Sequence, residues 1–233
     1  SSINIFISRD QYLSVTSHLY VNNPVMIYSS LKSSESRNPI DKKTIIQHVN
    51  PLSINLLFLG WLTKKQIERK ALLKTLEALA LCIHKHSLNI NLVISGKSGD
   101  ALSLIHEKID YLSLGQNIKF RLDINQEEKE RLYLKSDLHV APSYVEGFGN
   151  ATLEAMSHGC ASIVSSYGAS PEVVGDSGFI INLIEVENIF GALLTYSSLD
   201  FDERIKIRLK SYDRAYDLFG FDKRLSSYKK LLD

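Results

Sequence analysis

Residues 142–159 read PSYVEGFGNATLEAMSHG, and they are the most informative part of the chain. Two glutamates, Glu146 and Glu154, lie on either side of a Gly-x-Gly turn that opens a predicted helix. Such a turn presents bare backbone N–H groups and the positive end of a helix dipole, which favours a diphosphate. The flanking carboxylates are placed to accept hydrogen bonds from hydroxyl groups on both sides of it. The pattern therefore predicts a ligand with a central diphosphate and hydroxyl-rich groups at both ends, which describes a nucleotide sugar.

Strands and helices alternate regularly around this stretch. Apolar runs predict strands over residues 54–59, 90–94, 117–120, 138–141, 161–164 and 178–181. Helical spacing or capping predicts helices near residues 72–83, 102–112, 125–135, 151–158, 186–196, 202–218 and 223–232. This alternation implies a doubly wound, Rossmann-like parallel sheet with helices on both faces. Ligands bind such sheets at the carboxyl ends of the strands, and the turns at Gly60 and Glu146 both follow a strand.

The beginning of the chain has a different pattern. Short strands are predicted over residues 2–7 and 24–28, with a helix from about 10 to 19 between them. Residues 29–41 are rich in Ser, Asn and charge, which predicts a linker or loop.

The composition excludes several classes of protein. The chain has 233 residues with a formal net charge of +1 and is 44% hydrophobic, so a nucleic-acid-binding role is not expected. No apolar run reaches the length of a membrane-spanning helix, and no signal peptide is visible. Cys82 and Cys160 are predicted to be free, buried thiols, which fits a reducing compartment such as the cytoplasm. The histidines show no metal-ligand spacing.

The run PSYVEGFG followed by LEAMSHG resembles the donor-site signature of retaining GT-B glycosyltransferases with a glycosyltransferase group 1 (GT4-like) domain. The two glutamates of that family are also separated by seven residues. The resemblance extends to LFLG at 57–60, NLVISG at 91–96, NIKF at 117–120 and GASPEVVGDSG at 168–178. Residues 5–8 and 26–28 resemble the last strand of the family's N-terminal domain and the crossover that follows it.

The resemblance implies a role for each site residue. Glu146 would contact the donor sugar and stabilise an oxocarbenium-like transition state as the catalytic carboxylate, and Glu154 would bind the ribose hydroxyls. The remaining donor-binding residues would be Gly60, Arg69, Lys70, Gly147, Phe148, Gly149, Asn150 and Ala151. The backbone N–H groups at 147–149 would face the sugar and those at 150 and 151 the phosphates. No metal or other cofactor is expected.

The sequence departs from the family pattern at the first glycine. Most members have Arg directly after it, and Trp61 stands there in this chain. Lys70 is therefore the better phosphate-binding candidate, and Arg69, Lys64 and Lys65 are possible substitutes for the arginine. The departure keeps open a catalytically silent nucleotide-sugar-binding module, and a GT-B-type sugar-nucleotide epimerase is a further alternative.

The resemblance also predicts a domain organisation. Residues 1–50 would be the end of an N-terminal domain and a linker, residues 51–200 the donor-binding domain, and residues 201–233 helices that pack back on it. Family members hold the acceptor in an N-terminal domain for which these residues leave no room, so we expect the donor-binding half of a larger enzyme, inactive alone. Its partners would be a UDP- or GDP-linked sugar and a glycan or lipid-linked acceptor. Cell-surface polysaccharide synthesis is the expected setting, in the cytoplasm or peripherally at the inner face of the membrane.

Overall fold

The computed structural model of the chain describes residues 3–33, 36 and 38–232. Its strands are β1 (Asn4–Phe6), β2 (Pro24–Met26), β3 (Ile54–Leu59), β4 (Ile90–Gly96), β5 (Ile118–Leu122), β6 (Leu138–Ala141), β7 (Ala161–Ser165) and β8 (Phe179–Ile181). Its helices are α1 (Arg9–Thr16), α2 (Lys42–Gln47), α3 (Lys64–Arg69), α4 (Leu72–His86), α5 (Leu102–Tyr111), α6 (Gln126–Lys135), α7 (Asn150–Ser157), α8 (Ser170–Val174), α9 (Val186–Ser197), α10 (Phe201–Phe219) and α11 (Phe221–Lys229).

The larger sheet has six parallel strands in the order β5-β4-β3-β6-β7-β8. At its centre Leu57 of β3 pairs with Val93 of β4 on one side and with His139 of β6 on the other. The strand order reverses between β3 and β6, as it does in doubly wound folds that bind nucleotides at this point. The predicted Rossmann-like fold is therefore confirmed, and the crevice between the ends of β3 and β6 is the expected ligand site.

Both faces of this sheet are covered by helices. One apolar cluster joins alternate residues of the strands, such as Leu56 and Phe58, to α4, α5 and α9. On the opposite face, two smaller clusters join Leu57 and Val164 to α6, α7, α8 and α10. The nearly continuous apolar sequence of β3 follows from this arrangement, because successive side chains of a strand point to opposite faces.

The segment before the large sheet is tied to it by specific contacts. Strands β1 and β2 form a separate parallel pair. The N–H groups of Arg9 and Asp10 at the start of α1 donate to the carboxylate of Glu172 in α8, at 2.9 and 2.8 Å. The ring of Tyr28 lies against the rings of Phe148 and Phe219, with centroid distances of 6.3 and 5.7 Å.

The structure differs from the sequence-based expectations in several short elements. Helices α2, α3 and α8 were not predicted, because each is only five or six residues long and buries few apolar side chains. Helix α1 ends at Thr16 instead of residue 19, and α11 ends at Lys229 instead of residue 232. In the predicted loop 29–41 the described residues 33 and 36 are helical, while residues 34, 35 and 37, like residue 2 of the first predicted strand, lie outside the described residues.

Other predictions are confirmed. The capping box predicted at Asn125 is present, because its side chain accepts from the Glu128 N–H and the Glu128 side chain accepts from the Asn125 N–H. Both cysteines are free and buried. No helix within the described ranges has the length and apolar character needed to cross a membrane.

Candidate functional site

The loop between β6 and α7 forms one wall of the central crevice. Its backbone is held from two sides, because the Tyr144 N–H donates to the Arg69 carbonyl at 2.9 Å and the Ser165 hydroxyl donates to the Ser143 carbonyl at 2.5 Å. Gly168 also fixes this loop, since a Cβ there would collide with the Glu146 backbone. The position of Glu146 therefore depends on elements on both sides of the loop.

Helix α7 begins directly after this loop, with Gly149 as its N-cap at φ 90°. No described residue accepts a hydrogen bond from the N–H groups of Asn150, Ala151 or Thr152 in the first turn, whereas the Leu153 N–H donates to the Gly149 carbonyl. These three N–H groups are the normal unpaired donors of a helix start, and they attract anions.

The turn before α7 leaves free space around Gly147. A Cβ at Gly147 would meet no atom within 4 Å, so packing within the chain does not demand a glycine there. The neighbouring Phe148 side chain is buried against Phe219, at a ring-centroid distance of 5.6 Å, and anchors the turn to the core. The backbone at 147–149 is therefore firmly held while one side of it stays open to a ligand.

Glu146 lies beside two cations. Arg69 Nη1 lies 3.3 Å from Glu146 Oε2 and also donates to the Val145 carbonyl. Lys70 is 8% exposed, and its Nζ donates to the Leu59 carbonyl at the end of β3 at 2.9 Å. Burial lowers the pKa of Lys70, the Glu146 charge opposes that effect, and Arg69 adds to it.

Gly60 makes room for this buried lysine. A Cβ at Gly60 would lie 3.1 Å from Lys70 Cδ, and one at Gly96 would collide with the Gly60 backbone. The two glycines thus let the ends of β3 and β4 come close together beside the lysine stem. The structure brings Gly60, Arg69, Lys70 and Glu146 into one group.

The other proposed substitutes for the missing arginine lie further out. Lys64 and Lys65 are exposed and line a groove of about 850 Å³ together with Arg69, Tyr144 and Val145. Trp61 is exposed, with Lys97 Nζ 5.6 Å from the centre of its ring. Of these cations only Arg69 contacts Glu146.

Glu154 lies on the second turn of α7 and is enclosed by cations. Its side chain is 17% exposed; Lys129 Nζ lies 2.6 Å from Oε2 and Lys32 Nζ lies 3.3 Å from Oε1. The Tyr133 hydroxyl is 3.4 Å from Oε2. Burial raises the pKa of Glu154, but the hydrogen bonds and charges of Lys129 and Lys32 outweigh it and hold the pKa below its usual value. Neither lysine was singled out from the sequence.

His139 is a further polar residue that sequence reasoning missed. It lies on β6 and is fully buried, and neither ring nitrogen has a hydrogen-bond partner. Burial and the nearby Lys70 charge lower its pKa to about 3, so the ring is neutral at neutral pH. The run LHVA at residues 138–141 predicts only a strand, so the sequence does not indicate that this histidine is buried without hydrogen-bond partners.

No group of three or more His, Cys, Asp or Glu side chains in the described part of the chain is arranged to hold a metal ion. The side chains of Arg69 and Lys70 place positive charge beside the β6–α7 loop.

Comparisons with known proteins bear on the family and the fold of the chain. The model of the family described as glycosyl transferases group 1 matches residues 55–194. The O-antigen chain mannosyltransferase B of Escherichia coli is 29% identical over 126 residues, which are 54% of this chain and 33% of that protein. The chain thus matches only about a third of this curated relative.

Two solved structures show the same fold. Anabaena HepE in complex with UDP and glucose superposes with a TM-score of 0.81 at 18% identity, over 100% of this chain and 63% of that one. The C-terminal domain of a glycosyl transferase group 1 family protein from Francisella tularensis gives a TM-score of 0.65 at 22% identity, over 82% of this chain and 100% of that one. The fold of this chain thus contains that of an entire C-terminal domain.

Proposed function

The chain belongs to the glycosyl transferases group 1 family, and we propose that it binds the nucleoside-diphosphate-sugar donor of a retaining, metal-independent glycosyltransferase. The observation that carries the proposal is the set of unpaired N–H groups at the start of α7, which lies between two carboxylates. The N–H groups of Asn150 and Ala151 bind the diphosphate, Glu154 accepts hydrogen bonds from the ribose hydroxyls, and Glu146 faces the sugar. UDP complexes of HepE support a nucleotide ligand of this kind.

The proposed reaction transfers a hexose to a hydroxyl group of the acceptor. The bond between the anomeric carbon and the diphosphate oxygen breaks, and the diphosphate leaves with the electron pair. The acceptor oxygen bonds to the anomeric carbon with retention of configuration, and the hydroxyl proton is transferred to the departing phosphate. Arg69 and Lys70 stabilise the charge of the leaving group, and Glu146 stabilises positive charge on the sugar.

We further propose a glycan or lipid-linked acceptor and a role in cell-surface polysaccharide synthesis, on the cytoplasmic side and peripheral to the membrane. The support is the similarity to the O-antigen chain mannosyltransferase of Escherichia coli. The donor nucleotide is UDP or GDP.

Calorimetric titration of the chain with UDP, GDP and ADP tests donor binding. We expect one of them to bind below millimolar concentration, and Glu154→Ala to weaken that binding by roughly 10- to 100-fold through loss of hydrogen bonds to a charged group. Glu187→Ala, which removes an exposed glutamate of α9, is the matched control and should bind normally. Undetectable binding of all three nucleotides, or an unchanged affinity in Glu154→Ala, would refute the assignment.

We also propose that these 233 residues bind the donor without transferring sugar. The chain spans 63% of HepE, and catalysis needs both substrates held in one geometry. Incubation with labelled UDP- and GDP-sugars and a pool of glycan and lipid acceptors should give no acceptor-dependent product, and robust product formation would contradict the proposal.

A further inference from the structure

The residues between β2 and α2 come close to the proposed donor site. We call residues 28–32 the crossover segment. The Tyr28 ring lies against Phe148, and the Ser29 hydroxyl donates to Asn150 Oδ1 at 3.2 Å. Lys32 Nζ is 3.3 Å from Glu154 Oε1. Within five residues, the segment therefore contacts the glycine turn, the first residue of α7 and the proposed ribose-binding carboxylate.

The backbone of the crossover segment is fixed in this place. Leu31 is buried in the cluster that contains Phe148 and Leu153. The Leu31 N–H donates to the Phe219 carbonyl at 2.9 Å, and the Ser29 N–H donates to the Ile7 carbonyl at 3.4 Å. Lys32 therefore projects from an anchored point beside α7, on a flexible four-carbon side chain.

The two lysines on Glu154 are held differently. Lys129 Nζ lies 2.6 Å from Oε2, and its side chain is 20% exposed. Lys32 makes the longer contact, 3.3 Å to Oε1, and its side chain is 54% exposed. Exposed ion pairs contribute little free energy, so a ligand displaces Lys32 more easily than Lys129. A ribose diol can thus take Oε1 while Lys129 stays on Oε2, because a carboxylate accepts about four hydrogen bonds.

We infer that Lys32 is a phosphate-binding residue of the donor site and that Lys129 is the positioning residue for Glu154. This inference rests on the proposed function. When the ribose hydroxyls replace Lys32 on Oε1, the displaced ammonium group pairs with the phosphate attached to that ribose. That phosphate is also bound by the N–H groups at the start of α7. The crossover segment then lines the occupied site. Its lysine supplies a positive charge, whereas Trp61, which stands at the position of the family's arginine, supplies none.

The test compares ligands that differ only in the number of phosphates. Ligand-observed NMR gives the affinities of uridine, UMP and UDP, with the matching guanosine and adenosine series, for the wild type, Lys32→Met, Lys32→Arg and Lys206→Met. We expect Lys32→Met to weaken UMP and UDP about tenfold or more and uridine less than about twofold, because only the phosphate contact is lost. Lys32→Arg should keep most of the affinity. Lys206 is an exposed lysine of α10, and its variant controls for net charge.

The possible outcomes separate this inference from the proposed function. Unchanged uridine binding in Lys32→Met shows that the site remains folded, so a selective loss of UMP and UDP supports a phosphate contact. Equal losses for all three ligands, tighter nucleotide binding in Lys32→Met, or the same loss in Lys206→Met would overturn the role of Lys32 while donor binding stands. If no nucleoside or nucleotide binds the wild type, the proposed function fails and the inference fails with it.

Discussion

At the scale of single residues, Glu154 shows how the site keeps a carboxylate ionised inside the protein. Burial alone opposes a negative charge. Lys129 and Lys32 supply two ion pairs to its two oxygens, and these outweigh the burial. An ionised carboxylate can only accept hydrogen bonds, which suits it to the two hydroxyl groups of a ribose.

The lowered pKa of Glu154 predicts a specific dependence of stability on pH. A carboxylate whose pKa is lower in the folded than in the unfolded chain stabilises the fold fully above the unfolded value, near 4.5, and this contribution is lost as the pH falls through the folded pKa. The difference in free energy of unfolding between wild type and Glu154→Gln should therefore be constant at neutral pH and decrease only below about pH 4.5. Urea denaturation at a series of pH values measures it.

Lys129→Met provides the control for this pH effect, because it removes the stronger of the two ion pairs. In that background the pH-dependent difference should be much smaller. A difference that instead increases as the pH falls from neutral toward pH 5 would show that the pKa of Glu154 is raised by burial, contrary to the account.

At the scale of helices and strands, some element ends are visible in the sequence and others are set by distant residues. The capping box at Asn125 involves only residues three apart, so the sequence predicts it. The first N–H of α3, at Lys64, is instead bound by Asp100, 36 residues away, at 2.9 Å. Thr63 at the N-cap makes no side-chain cap bond, so the start of this helix depends on that distant contact.

The candidate site likewise contains residues that the sequence places together and residues that only the fold brings to them. The two glutamates and the glycine turn form a continuous run, so the sequence alone places them around one helix start. Lys32 and Lys129 reach Glu154 from other parts of the chain. Only the packing of α6 and the crossover segment against α7 brings them there. No periodicity or spacing in the sequence encodes that contact.

The C-terminal end of α4 allows a test of how backbone conformation at a helix end affects stability. Ser87 is its C-cap, is exposed, and has left-handed backbone angles of φ 52° and ψ 31°. Residues other than glycine pay about 1–2 kcal/mol for this conformation, and glycine costs more entropy when the chain folds. We therefore expect Ser87→Gly to raise the free energy of unfolding by about 0.5–1 kcal/mol, as measured by chemical denaturation.

Ser198 is the matched control for Ser87, because it is the C-cap of α9 with ordinary right-handed angles of φ −77° and ψ −14°. Its hydroxyl donates to the Thr195 carbonyl at 2.8 Å. Ser198→Gly should not stabilise the protein. Equal effects of the two substitutions would mean that the backbone conformation of Ser87 carries no strain.

At the scale of the whole molecule, a buried ion pair connects α10 to the residue that precedes β6. Arg208 of α10 is fully buried; its Nη1 lies 3.1 Å from Asp137 Oδ1, and its other nitrogens donate to the Gly159 and Leu134 carbonyls. Asp137 Oδ2 accepts from the Asn55 N–H at 2.7 Å. Burial raises the pKa of Asp137, although the Arg208 charge opposes this. The Arg208 side chain thus connects α10 to the end of α6 and to the start of β6.

Loss of this arginine should destabilise the whole molecule. Arg208→Met leaves the Asp137 charge buried without its partner, and we expect the free energy of unfolding to fall by about 3–5 kcal/mol. The double variant Asp137→Asn with Arg208→Met should recover part of that loss, because it removes the unpaired charge. Additive losses in the double variant would show that the two side chains do not act as a pair.

A crystal structure of the chain with bound UDP tests the central claim most directly. The account predicts the diphosphate at the N–H groups of Asn150 and Ala151, with the ribose hydroxyls within hydrogen-bonding distance of the Glu154 carboxylate and the terminal phosphate directed toward Glu146 and Lys70. A nucleotide bound elsewhere, or one in this crevice whose ribose does not contact Glu154, would contradict the account.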